Sequence, residues 1–158
     1  MGQVCTSTSR VYVQENVYGK FVEGLKDYIQ TATVIGDPFA ETTSHGPQVS
    51  KIQFDKILKY IEIGKSEGAT LVTGGKRHGE KGFFIQPTIF SDSTDSMTIA
   101  REEIFGPVVV ISSFKTEEEA ITRANDTQYG LGAAVFTENI SKAHRVSAEI
   151  EAGMVWVS

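Results

Sequence analysis

From Val108 to its end, the chain alternates short apolar runs with amphipathic segments, and this alternation restricts the fold more than any other feature. "VVVISSF" (108–114) begins with a continuous apolar run, Val108–Ile111, suited to a strand buried on both faces. Thr116 and Glu119 have the spacing of a capping box, and the helix behind them places Ala120, Ile121 and Ala124 inward. "GAAVFT" (132–137) reads as another buried strand. Ser141 reads as the cap of a helix over 142–151, with Gly153 at its C′ position, and "MVWV" (154–157) as a final strand. Strand, helix, strand, helix, strand is the order of parallel βαβ units with right-handed crossovers. The expected fold class is α/β, a three-layer domain with a mostly parallel sheet flanked by helices. With no internal repeat, linker or low-complexity segment, residues 1–158 read as one domain.

The upstream part fits that class. Residues 9–14 (SRVYVQ) alternate and are rich in β-formers. Asn16 is placed to cap a helix whose Val17, Phe21, Leu25, Tyr28 and Ile29 share one face, stopped by Gly36 and Pro38. Residues 36–48 form a loop by their Gly, Pro, Thr and Ser content. Ser50 and Gln53 repeat the capping-box spacing ahead of the stripe Phe54, Ile57, Leu58, Ile61. "ATLVT" (69–73) is a strand and "FFIQPTIF" (83–90) is extended, with Pro87 keeping part of it off a central ladder. A short helix fits 97–104, broken by Gly106-Pro107.

Charge and cysteine content narrow the function. Fifteen basic and 20 acidic residues give a net charge of −5, and the basic residues are scattered. That excludes a nucleic-acid surface, which needs clustered Lys and Arg to displace counterions. "KRHGEK" (76–81) is the densest basic cluster and reads as a solvated loop. One cysteine forms no internal disulfide, which suits a reducing compartment. No apolar run is long enough to span a bilayer, and no secretory signal opens the chain. The expected location is cytoplasmic, or an organelle matrix if an upstream leader belongs to the protein. His45, His78 and His144 lack metal-ligand spacing and read as surface residues. No glycine-rich phosphate loop is present.

Two stretches remain as candidates for chemistry. In "GQVCTSTSR" (2–10), Cys5 is either a small buried hydrophobe or a nucleophile. Gly2 permits close backbone approach, and the small hydroxyl residues after Cys5 leave a thiol accessible. In "REEIFGPVVV" (101–110), two carboxylates precede an aromatic and a Gly-Pro break at the start of a strand. A carboxylate that accepts from ribose hydroxyls and an aromatic beside a ring would suit a nucleotide. A solvated Glu pair with a core Phe is the plainer alternative.

Taken in order, "GQVC", "TSTSR", "GPQVS", "GFFIQPTIF", "EEIFGPVVVISSF", "YGLGAAVFT" and "AGMVWV" resemble the catalytic domain of the aldehyde dehydrogenase superfamily over essentially the whole chain. The resemblance implies that Cys5 is the thiol that adds to the aldehyde carbonyl. A thiohemiacetal and then a thioester follow, with NAD or NADP taking the hydride and the Cys5 N–H serving the oxyanion. It implies that Glu103 binds the nicotinamide ribose, that Phe105 lies beside the nicotinamide, and that Gln53 and Lys56 touch the adenosine side of the cofactor. Ser7-Thr8 stand where the family usually has Ala-Gly, adding volume near the thiol. The family's dinucleotide-binding domain, general-base glutamate and oxyanion-hole asparagine lie upstream of this segment. The expectation is therefore a piece of a longer enzyme, homodimeric or homotetrameric when whole and acting on a small-molecule aldehyde, with the short chain inactive alone. A stand-alone α/β binding or scaffolding domain and a cysteine hydrolase are the rival readings.

Overall fold

Helix α2 (Lys51–Ser66) shows most directly how local sequence becomes structure here. Ser50 is extended, and its Oγ accepts the Gln53 N–H at 3.2 Å, closing the open end of the helix. Phe54, Ile57 and Ile61 then recur at helical spacing and are buried, with Leu58 packed beside them.

The computed structural model describes residues 1–158. Around α2 the chain forms β1 (Arg10–Gln14), α1 (Glu15–Ala32), β2 (Thr70–Thr73), β3 (Thr88–Ser91), α3 (Thr98–Arg101) and β4 (Val108–Phe114). After these come α4 (Glu117–Asn125), β5 (Gly132–Val135), α5 (Ile140–Glu149) and β6 (Met154–Val157). The class is α/β with a mostly parallel sheet flanked by helices. Strands β3 and β4 are parallel, as are β5 and β6, while β2 runs antiparallel to β3. The residues gather into two compact units, Met1–Ser113 and Phe114–Ser158.

In the first unit the sheet order is β1-β4-β3-β2. Period-two alternation divides its side chains between two cores. Phe90, Val108 and Val110 pack with Phe54, Ile57 and Ile61, and Ile99 of α3 joins them. Ile89 and Ile111 pack with Val13 on the other side, covered by Tyr18, Val22, Leu25 and Ile29 of α1. Helix, sheet and helix thus make three layers. Pro87 stands one residue ahead of interior strand β3, so the ladder loses no N–H to it.

Helix α1 differs from its expectation in two ways. Gln14 holds the cap position without a side-chain bond, and Asn16 lies inside the first turn. The covered face is Tyr18, Val22, Leu25 and Ile29, whereas Val17, Phe21 and Tyr28 are exposed. Tyr18 accounts for the rotation. Its hydroxyl donates to the Ile111 carbonyl at 3.2 Å and accepts the Asp92 N–H at 3.1 Å.

In the second unit β5, α5 and β6 form the expected parallel βαβ unit, but β4 belongs to the other sheet. Thr116 Oγ1 accepts the Glu119 N–H, as the spacing predicts. The cap of α5 is Asn139, whose Oδ1 accepts the Lys142 N–H, so the helix starts two residues earlier than Ser141 implied. Gly153 is not a left-handed cap; its N–H donates to the Gly130 carbonyl at 2.8 Å and ties β6 back toward β5. Strand β5 is not buried: its residues alternate between exposed and half-buried. No helix is long and apolar enough to cross a membrane.

Candidate active site

Three segments come together in the first unit: the turn around Cys5, residues 45–50 leading into α2, and residues 102–107 leading into β4. Cys5 is exposed, in a tight turn closed by the Ser7 N–H on the Val4 carbonyl at 2.9 Å. This overturns the reading of a small buried hydrophobe. No intramolecular hydrogen bond occupies the Cys5 amide N–H.

Two residues earlier the chain is pinned on both sides. Gln3 Oε1 accepts the Val49 N–H at 3.2 Å. Gly2 has φ +71, and a Cβ there would stand 2.0 Å from the Gly106 carbonyl oxygen. A Cβ on Gly106 would in turn stand 2.4 Å from Ile57 Cδ1. At Gly2 only a hydrogen fits, because the obstacle is backbone, whereas a side chain at Gly106 would have to displace the buried Ile57. The thiol segment therefore lies backbone to backbone against the loop that carries Phe105.

That loop is shaped by α2. Phe105 has φ +58, a left-handed conformation that costs an aromatic residue on the order of 1–3 kcal/mol. Gln53 Nε2 donates to the carbonyls of both Ile104 (3.0 Å) and Phe105 (2.8 Å). Lys56 Nζ donates to the Glu103 carbonyl at 3.4 Å, and Tyr60 donates its hydroxyl hydrogen to the Glu102 carboxylate at 2.6 Å. Ile104 is buried, while Glu103 is exposed and Phe105 is 36% exposed. The plainer alternative, a core Phe, does not describe it.

Gln53, Lys56, Glu103 and Phe105 are thus assembled at one place, with Cys5 joined to it through Gly2. The sequence reading missed Tyr60 and Gln3. Tyr60 had a legible signal, since Gln53, Lys56 and Tyr60 form a polar stripe at i, i+3, i+7 beside the apolar one. Gln3 had none.

His45 is not a surface residue. It is 6% exposed, and its Nε2 and both amide atoms of Gln48 are buried without partners. Burial pulls its pKa below the ordinary histidine value, and the positive amino terminus adds to the shift. No group of three or more His, Cys, Asp or Glu side chains is placed to hold a metal.

Fold and site define an α/β protein with an exposed thiol set against an acidic and aromatic loop. The aldehyde dehydrogenase family model matches residues 1–158. The chain belongs to the aldehyde dehydrogenase family. It is 57% identical over 157 residues to an aldehyde dehydrogenase of Davidiella tassiana, covering 99% of this chain and 32% of that one. It is 54% identical over 157 residues to mouse retinaldehyde dehydrogenase 3, covering 99% and 30%. Among solved structures, the NAD+ complex of Bacillus cereus aldehyde dehydrogenase superimposes with a TM-score of 0.96 at 47% identity, covering 99% and 32%. Betaine aldehyde dehydrogenase from Staphylococcus aureus with NAD+ gives 0.95 at 42%, with the same coverage. The chain spans about a third of the length of these relatives.

Proposed function

We propose that this chain supplies the nucleophile and the nicotinamide side of the cofactor site in an NAD(P)+-dependent aldehyde dehydrogenase. The observation that carries the reading is the joint between Gly2 and Gly106, which leaves no room for a side chain between the thiol segment and the Phe105 loop. Family membership over the whole chain supports it.

The residues present fit a nicotinamide nucleotide. Glu103 is an exposed carboxylate able to accept hydrogen bonds from a ribose diol, and Phe105 shows part of a flat apolar ring beside it. Gln53 and Lys56, on the same side of α2, donate to the carbonyls of this loop, and the family resemblance would set them toward the adenosine side of the cofactor. When bound, NAD(P)+ supplies the hydride acceptor.

The chain's own part of the chemistry begins at sulfur. The Cys5 thiolate forms a C–S bond to the aldehyde carbonyl carbon, and the carbonyl π pair moves onto oxygen. The Cys5 N–H, unoccupied in the turn, donates to that developing oxyanion. Cys5 is exposed, so the approach to sulfur is open despite the volume that Ser7-Thr8 add beside it. The lone thiol suits a reducing compartment such as the cytoplasm.

The test is Cys5→Ser in the full-length polypeptide. Reduction of NAD+ by aldehyde falls by about a thousandfold or more, while the Kd for NAD+ stays within about twofold, because a one-atom change leaves the loop in place. Retained turnover in Cys5→Ser would remove the thiol from the mechanism and sink the reading.

A further inference from the structure

Phe105 is held in a conformation that its own side chain disfavours, and one side chain from another element contacts the carbonyls on both sides of it. Successive carbonyls of an extended strand point to opposite sides. They converge toward one donor group only when the residue between them has helical torsions of either hand. The Gln53 amide nitrogen carries two hydrogens, one for each carbonyl. Its bonds to Ile104 and Phe105, at 3.0 and 2.8 Å, therefore cannot both survive a return of Phe105 to extended backbone.

Everything around this clamp fixes its two ends. Ser50 holds the Gln53 backbone through the helix cap, so the side chain leaves α2 from a fixed point. The Ser-x-x-Gln spacing predicts that the Gln side chain bonds back to the Ser50 N–H. That bond would use Oε1 as acceptor; the bonds the side chain makes are those of Nε2, which donates across the site. On the loop side Ile104 is buried, and Gly106 is pressed between Gly2 and Ile57. Between those anchors, Phe105 is the residue left to be set.

We propose that Gln53 is a positioning residue, whose two N–H groups hold Phe105 left-handed and so set how Glu103 and Phe105 meet the cofactor. This rests on the cofactor reading above and changes what Gln53 does within it. The amide N–H groups act on the loop, leaving only Oε1 to face a ligand directly.

The experiment uses the full-length enzyme and two substitutions. Gln53→Leu removes both donors and keeps the volume. Gln53→Glu keeps an oxygen at the Oε1 position, removes the donors and, being polar at a half-buried site, keeps the question open if the Leu variant does not accumulate. Without cofactor, hydrogen–deuterium exchange of the peptide over 102–107 accelerates about tenfold in both variants, the effect of losing two ordinary hydrogen bonds. Exchange in the α2 core peptide over 57–66 is unchanged, which a merely structural loss would not leave so. The Kd for NAD+ rises about tenfold in both, and the aldehyde KM stays within twofold.

If Gln53→Glu binds NAD+ like wild type while Gln53→Leu does not, Gln53 acts through Oε1 on the cofactor and the proposal is overturned. Unchanged exchange over 102–107 in both variants overturns it equally. Failure of the cofactor reading itself looks different: loop exchange responds in the variants, yet wild type binds no NAD(P)+.

Discussion

His45 shows how one buried side chain ties this fold to pH. Burial favours its neutral form, so its folded pKa lies below the value of about 6.5 that it regains on unfolding. Between those values the unfolded chain binds a proton that the folded chain does not. Stability is therefore full above about pH 6.5 and falls as the pH drops through that value toward the lower folded pKa. The amino terminus acts in the same direction, and a backbone hydrogen bond at Ile85 opposes it. Urea melts between pH 7.5 and 5 should show this slope, and His45→Gln should flatten it. An equal slope in the variant would place the titration elsewhere.

Among the elements, α2 serves the fold with one face and the site with another. Its apolar stripe fills the core, and its polar stripe shapes the loop over 102–107. Loss of its cap should be felt in both. Ser50→Ala should lower stability by about 1 kcal/mol in denaturant melts and also weaken NAD+ binding, since Gln53 then leaves the helix from a looser turn. A stability loss with unchanged cofactor affinity would separate the two faces.

Capping boxes and apolar stripes of this kind were legible because they are written in four to eight neighbouring residues. The covered face of α1 was not. It is chosen by the Tyr18 hydroxyl reaching Ile111 and Asp92, residues far along the chain. The site divided in the same way. Local motifs marked Cys5, Glu103 and Phe105, whereas the pinning of Gln3 on Val49 and of Gly2 on Gly106 exists only once distant segments pack.

For the whole molecule, the distribution of apolar surface matters most. Phe136 is 79% exposed and Trp156 47%, on and beside the two-stranded sheet of the second unit. Strands that pair only with each other, with aromatics left uncovered, invite association. Light scattering of the 158-residue chain alone should give a mass above the 17.3 kDa of one copy, and Phe136→Asp should bring it down. A monodisperse 17.3 kDa particle would show that this surface is tolerated.

The joint between Gly2 and Gly106 also bears on engineering. It is a place where two segments touch with no side chain between them, so it offers no tunable position. Thr6, Ser7 and Thr8, which follow the thiol in sequence, are exposed and outside this constraint. At the joint itself, the addition of one methyl group would shift the thiol segment and the Phe105 loop together, so that under the proposed function binding and chemistry lose their independence as design variables.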